Sequence, residues 1–443
     1  MEAKKIPSVS VFRFLIHSTN ILKNPLPFHH KNFEMYGDTF RLKLGFGKSV
    51  IFSRDAGFAQ YALQKNHKNY TKSPIQTRDL SKYVGFGLLT SEGTLWQKQR
   101  KLIQPAFHKK QLVNLLETVQ SAINAELIKM DTGKPIDIFP IFNNLAFQTV
   151  VKSLFSSAVN QKQINKLQHI TESAQKMLVM ELRQPHLGWW FRLSGKIKKQ
   201  ISETKDARNV LKKLVNERKR SRKREDDLLD MLLDARYEDG SFMELEQLID
   251  EILILFVAGH ETTSNALTFT CELLARNPNI QEQVFQEVVK AKRGTENVID
   301  FIKACPFAKN VIEETLRLYP PAYFIDRVNI DEDEFNGMHF AKNSSLLFSI
   351  IEIHRNPAYW EEPTKFKPER FSDVNSSQFS GHYFPFGAGP RMCIGNNFAM
   401  YEMILTIAEI AKKYKISEKK APIEINPLIT LKPKNAILEF NFR

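Results

Sequence analysis

Apolar residues repeat along this chain with two different spacings. From about residue 92 to 290 they recur every three or four positions, the spacing that puts side chains on one face of a helix. "PIDIFPIFNNLAFQTVVKSLF" and "DDLLDMLLDARYEDG" are examples, and the whole stretch reads as a succession of helices. Elsewhere the alternation is strict. "DTFRLKLGFGKSVIFS" (38–53) alternates and turns at Gly45–Gly47, which predicts a β-hairpin. "DEDEFNGMHFAKNSSLLFSI" and "LITLKPKNAILEFNF" predict further strands and turns near the end. The expected fold is mainly α: a large helical region, plus a smaller β-rich region drawn from about 33–70, 322–350 and the C-terminal strands. "QPHLGWWFRLSG" (184–195) breaks the helical pattern with Pro, Gly and two Trp, and reads as a mobile connection. No linker cuts the chain, so 1–443 is expected to be a single domain.

One predicted helix differs from the rest. "SFMELEQLIDEILILFVAGHETTSNALTFTCELLARNP" opens on Ser241 with Glu244 three residues on, the spacing of a capping box, and stops before Pro278. That is roughly 35 residues, or about 50 Å at 1.5 Å per residue. Its middle is apolar on all sides, as in a helix buried through a large core. Yet Gly259, His260, Glu261, Thr262 and Thr263 stand in that middle. Buried polar groups are costly unless paired, so this violation of the folding pattern marks a candidate functional site. His260-Glu261 begins an H-E-x-x-H zinc motif, but position 264 is Ser, which rejects it.

Composition narrows the class. The three cysteines (Cys271, Cys305, Cys393) lie far apart and make no disulfide framework, which fits a reducing cytoplasm. The first twenty residues break their apolar stretch with Arg13 and His17, unlike a signal peptide. The longest apolar run, "ILILFVAG" (252–259), is far short of the ~18 residues of a membrane span, so no membrane anchor is expected. Net charge is +14, from 63 basic and 49 acidic residues. The basic residues are spread along the chain except in "KRSRKR" (219–224), which reads as the solvated end of a helix. Nucleic acid is therefore not the expected partner, whereas an acidic protein suits a basic surface.

Candidate chemistry centres on "FPFGAGPRMCIG", Phe384 to Gly395. Cys271 and Cys305 sit in helical apolar contexts and read as small buried hydrophobes. Cys393 instead lies among Gly387, Gly389 and Gly395, which permit a tight turn and the close approach of a flat cofactor. Backbone N–H groups in such a turn, and the helix that follows, favour a thiolate.

The stretch F-G-A-G-P-R-M-C-I-G resembles the F-x-x-G-x-R-x-C-x-G signature of the cytochrome P450 superfamily of haem-thiolate monooxygenases. Four more stretches resemble the family's motifs, in its order: "GTLWQKQR" (93–100), "AGHETT" (258–263), "ETLR" (314–317) and "PERF" (368–371). The resemblance covers nearly the whole chain. It implies that Cys393 is the axial ligand of haem b, with Phe386 packed beside the sulfur and Gly395 in the same signature. It implies that Trp96, Arg100, Arg327 and Arg391 anchor the haem propionates. Ala258 and Gly259 would leave room for O2, and Glu261 and Thr262 would be the catalytic pair relaying protons during oxygen activation. Glu314, Arg317 and Arg370 are expected to be structural, locking the fold around the cysteine loop.

The family's substrate-recognition regions fall on 72–89, 176–190, the middle of the long helix, 322–326 and 426–431, and favour a hydrophobic small molecule. Trp189, Trp190 and Tyr323 are open between packing and stacking on a ligand. The expected reaction is hydroxylation of a C–H bond, or O-demethylation where the carbon bears an ether oxygen. The expected protein is a cytoplasmic monomer. Electrons would come from NAD(P)H through a ferredoxin or flavodoxin and its reductase, docking near Lys98, Lys101, Lys109 and Lys110. Two alternatives stay open. One is a peroxide-driven peroxygenase of the same fold. The other is a haem- or ligand-binding protein without catalysis.

Overall fold

The computed structural model describes residues 4–45, 47–156, 158–184, 187–221, 223–372, 381–418 and 421–443. The fold is mostly helical with a smaller β-rich part, and the chain divides into two compact units.

The first unit holds the described residues of Met1–Ser73, Asn310–Cys393 and Glu424–Lys434. Its centre is a mixed six-stranded sheet. The strand order is Ser8–Val9, Thr39–Gly45, Lys48–Ser53, Ser345–Ser349, Phe324–Asn329, Tyr70–Thr71. Thr39–Gly45 and Lys48–Ser53 form the antiparallel hairpin that alternation predicts, with Phe40 opposite Phe52. Those two rings stack 5.3 Å apart, so the buried face of the hairpin carries aromatic packing. Another apolar cluster of this unit gathers on Phe58, whose ring lies 4.7 Å from Phe340 and 5.0 Å from Phe335. The hairpin Asp333–Phe335/Met338–Phe340 turns on Asn336 and Gly337, both at positive φ (50° and 75°), as two-residue hairpins require.

The second unit holds Pro74–Lys309, Ile394–Ile423 and Asn435–Arg443. Its long central helix, Leu245–Arg276, is buried along most of its length. It packs on helices Phe139–Phe155 and Asn396–Lys413, and on strand Tyr414–Glu418. That strand pairs with Ile437–Phe442, which pairs in turn with Pro135–Asp137.

Local expectations needed correction in three places. Ser241 does not cap the central helix. Its hydroxyl donates to Asp239 Oδ1 (2.6 Å) inside the turn that closes on Tyr237, and the helix begins later with Glu244 as N-cap. A local Asp two residues away competes better for the Ser hydroxyl than the helix start does. "PIDIFP" opens as a strand, and the helix starts at Phe139. In the predicted mobile connection, Gly188–Leu193 is a short helix. Phe46, Pro185, His186 and Arg222, which the hairpin, the connection and the basic run include, lie outside the described residues. The basic run does end a helix, Lys196–Ser221, with Lys219 and Arg220 exposed.

Candidate active site

The cysteine loop belongs to the first unit up to Cys393. Gly387 (φ 73°) and Gly389 (φ 70°) are both left-handed, a conformation that side chains resist. At Gly389 a second constraint applies. A Cβ there would collide with the backbone carbonyl of Leu63, so only glycine lets the loop lie on that segment. Phe384 O accepts from Gly387 N (3.1 Å), and Phe386 O accepts from Cys393 N (2.9 Å). The outcome for the three thiols differs as their contexts suggest. Cys271 and Cys305 are fully buried; burial raises both, Cys305 to about 12. Such thiols stay protonated and inert. Cys393 is exposed. An exposed thiol in a glycine turn, two residues ahead of a helix N-cap at Gly395, fits a thiolate bound to the iron of a flat prosthetic group.

Phe386 and Arg391 share this loop, and both are half-buried. Arg327 is in the same unit, on strand Phe324–Asn329, where it is 8% exposed and donates to the Asp326 carbonyl (2.7 Å). A buried guanidinium needs anionic or carbonyl partners, and a propionate is a suitable one.

Behind the loop stands the E-x-x-R pair. Glu314 and Arg317 are both fully buried and joined by two hydrogen bonds of 2.7 and 2.8 Å. Arg317 also donates to the carbonyls of His354 and Pro363 (2.7 Å each) and Lys365 (3.1 Å). Glu314 Oε1 accepts from Lys367 N (2.9 Å) and Arg370 Nε (3.3 Å). Arg317's donors are spent on structure, so the pair fixes three chain segments rather than reacting.

The remaining candidates belong to the second unit. Trp96 and Arg100 lie one turn apart on helix Gly93–Ile103. Trp96 is buried, and Arg100 is half-buried with its Nε on Gln104 Oε1 (3.1 Å). On the central helix, Ala258 is exposed although its neighbours in sequence are largely buried. Leu255, Gly259 and Thr262, on the same face, are half-buried. A helix that opens on one face only, in its middle, has room there for a ligand. Gly259 has a second cause, one that its sequence does not show. A Cβ there would meet Val150 Cγ2 at 2.9 Å, so the glycine allows close packing of helix Phe139–Phe155. Glu261 is buried. The Thr262 hydroxyl donates to the Ala258 carbonyl (2.7 Å), which leaves its oxygen lone pairs to accept. His260 is fully buried, with Nδ1 on the Phe256 carbonyl (2.5 Å) and its ring edge-on to Phe147.

Two acidic residues escaped the sequence reading. Asp250 and Glu251 accept from the backbone N–H groups of Phe86 (2.7 Å) and Leu88 (2.9 Å). They hold the loop Gly85–Leu88 against the central helix, inside the first expected substrate-recognition region. Carboxylates on a helix normally read as a solvated face, so no pattern signals them. Of the three open aromatics, Tyr323 is packed: it is buried, and its hydroxyl donates to the Leu428 carbonyl (2.6 Å). Trp189 and Trp190 are exposed.

The comparison with known sequences agrees with this architecture. The sequence model described as "Cytochrome P450" matches residues 7–440. Similar proteins include "Cyclooctat-9-en-7-ol 5-monooxygenase" of Streptomyces melanosporofaciens, 27% identical over 90% of this chain and 87% of that protein. "Cytokinin hydroxylase" of Arabidopsis thaliana is 29% identical over 94% of this chain and 83% of its own length. "Cytochrome P450 4d2" of Drosophila melanogaster is 29% identical over 88% and 83%. The class is that of monooxygenases, enzymes of oxidation and reduction. The chain belongs to the cytochrome P450 family, and membership implies a haem held through a thiolate. Among the described residues no helix is long and apolar enough to cross a membrane.

Proposed function

We propose that this enzyme inserts one atom of O2 into a C–H bond of an apolar small molecule, using haem b ligated by Cys393. The observation that carries the reading is the contrast among the cysteines: two are buried and inert, while Cys393 is exposed on a loop that only glycines at 387 and 389 allow.

When bound, the haem supplies oxygen activation and C–H oxidation, and the thiolate ligand favours O–O cleavage. The chain's own residues bind, orient and move protons. Arg327, Arg391, Trp96 and Arg100 are the residues that would donate to the haem propionates. Phe386 packs beside the sulfur, and Gly395 starts the following helix. Ala258 leaves room for O2. Thr262 Oγ1 gives its proton to the Ala258 carbonyl and therefore accepts a further proton donor, and the Glu261 side chain at the preceding position relays protons with it. Leu255, half-buried on the same face as Ala258, offers an apolar wall to substrate. A methyl ether at the oxidised carbon gives O-demethylation, because the hydroxylated product collapses.

We read the chain as a single haem-thiolate domain, a cytoplasmic monomer, reduced by a separate acidic ferredoxin or flavodoxin with its NAD(P)H-dependent reductase. Lys98, Lys101, Lys109 and Lys110 are all exposed and suit such a partner; Lys101 pairs with Glu238. Reduction should slow as salt is raised.

The test is a spectral titration of the purified ferric protein with terpenoids, fatty acids, methoxylated arenes and methylated sugars. A saturable spin-state shift with one class identifies the substrate class. A carbon monoxide spectrum without thiolate character overturns the assignment of Cys393.

A further inference from the structure

His354 is a fully buried histidine that the reading of the site does not use. It stands four residues after the N-terminal end of the short helix Ile350–Ile353, amid "IIEIHRNP", with no feature that marks it in the sequence. Its Nε2 accepts the backbone N–H of Phe384 (2.8 Å). Phe384 is the first residue of the loop that carries Cys393.

From that bond a series of backbone contacts leads to the cysteine. Phe384 O takes the Gly387 N–H, and Phe386 O takes the Cys393 N–H. The other side of the histidine is tied to the buried ion pair, because its own carbonyl accepts from Arg317 Nη1 (2.7 Å). The neighbouring residue is held to the same helix, Pro306–Leu318: the Tyr383 hydroxyl donates to Glu313, with 2.6 Å to Oε2 and 2.8 Å to its carbonyl oxygen. The Tyr383 ring lies 5.1 Å from the His354 ring. The loop is thus fixed at its start by two contacts that both lead to the E-x-x-R helix.

We propose that His354 is a positioning residue: by accepting the Phe384 N–H it sets the register of the cysteine loop, and so the position of the Cys393 sulfur on iron. Only an acceptor can serve here, since Phe384 offers a donor. A neutral ring with its proton on Nδ1 meets that need, and burial keeps the ring neutral. A loop released at Phe384 would let the sulfur drift and pick up a proton, converting thiolate ligation to thiol ligation. This rests on Cys393 being the iron ligand.

The experiment uses haem-loaded enzyme and its ferrous carbon monoxide spectrum, followed in time. Four proteins are compared: wild type, His354→Leu, His354→Gln and Tyr383→Phe. Wild type without a thiolate-type band would sink the ligand assignment itself, whatever the variants do. With that band present, His354→Leu should lose it about tenfold faster than wild type or more, by analogy with other groups that orient metal ligands. His354→Gln, which restores an acceptor, should recover most of the lifetime. The ferric/ferrous potential should shift in the Leu variant and return in the Gln variant. A merely structural histidine would lower the melting temperature of both variants without separating them in either readout. Equal lifetimes and potentials for wild type and the Leu variant overturn the proposal. So does a Gln variant that folds as stably as wild type yet behaves like Leu. Should His354→Leu fail to fold, Tyr383→Phe decides: it keeps the ring, removes the other tie, and should shorten the lifetime, while a wild-type lifetime overturns the proposal.

Discussion

Thr149, on helix Phe139–Phe155, donates its hydroxyl proton to Glu402 Oε1, on helix Asn396–Lys413, deep within the helical unit. Glu402 is buried, and burial raises its carboxyl to about 8 against an ordinary value of 4.5, with the Thr149 bond opposing only in part. Folded protein therefore keeps this group neutral at neutral pH.

The pH dependence of stability follows from that shift. The folded acid has the raised pKa, so its contribution is fully present below about 4.5 and is lost as pH rises toward 8. Across that window the unfolded chain releases a proton that the folded chain retains. The expected slope is about −1.4 kcal/mol per pH unit from this one group. Glu402→Gln, neutral at every pH, should remove that slope and be more stable than wild type near pH 8. Denaturant unfolding of the two proteins between pH 5 and pH 8 checks it; parallel curves would refute it.

Two histidines act with the opposite sign. Burial lowers His29 and His354 to about 3 from an ordinary 6.5. Their contribution is present above about 6.5 and is lost as pH falls, because only the unfolded chain takes up the protons. Acid unfolding should therefore steepen below pH 6.5, by about 1.4 kcal/mol per pH unit for each histidine. His29 packs against Phe52 and Phe324, whereas the cysteine loop's ties at Tyr383 and Phe384 belong to Glu313 and His354. His29→Gln should remove one such proton from the measured slope and leave the carbon monoxide spectrum unchanged.

Gly389→Ala places a Cβ against the Leu63 carbonyl at a left-handed φ of 70°. Neither the backbone of Leu63 nor that of Gln64 has a flexible end that can yield. The variant should lose about 2–4 kcal/mol of stability and bind little haem. Gly294→Ala, outside the cysteine loop and with nothing within 4 Å of the added carbon, should load haem normally. The haem content of the two purified variants, side by side, separates the clash at Leu63 from a general intolerance of glycine replacement.

Arg317→Ala leaves Glu314 fully buried without its bidentate partner and frees three carbonyls. The cost should be about 3–5 kcal/mol, enough to unfold a marginal domain. Arg317→Lys should not rescue it, because an ammonium cannot match the forked geometry. Thermal unfolding and the yield of soluble protein provide the check, and a stable but inactive Arg317→Ala enzyme would instead assign the pair to catalysis.

Much of the site was legible in the sequence because local pattern carried it. Glycines at 387 and 389 announce a turn, apolar runs announce the central helix, and polar residues inside that run announce an interruption. The alternation of 38–53 likewise led straight to its hairpin. Ser241 misled because the capping spacing is a two-residue signal, and a nearer Asp239 won the hydroxyl. Gly259 was placed correctly in the helix but for an incomplete reason, since Val150 is far away in sequence and close in space.

By itself, then, the sequence determined the helical and β-rich parts, the glycine turn around Cys393 and the polar break at Ala258–Thr263. These depend on spacing along one chain and on the conformations that single residues permit. Only the tertiary structure decided that Cys393 is exposed while its two counterparts are buried, that Leu63 forbids a side chain at 389, that His354 holds Phe384, and that Glu402 is kept neutral beside Thr149. Each of these is a relation between residues remote in sequence, set by desolvation and close packing. Desolvation and packing act on distance in space and leave no periodic mark in the chain.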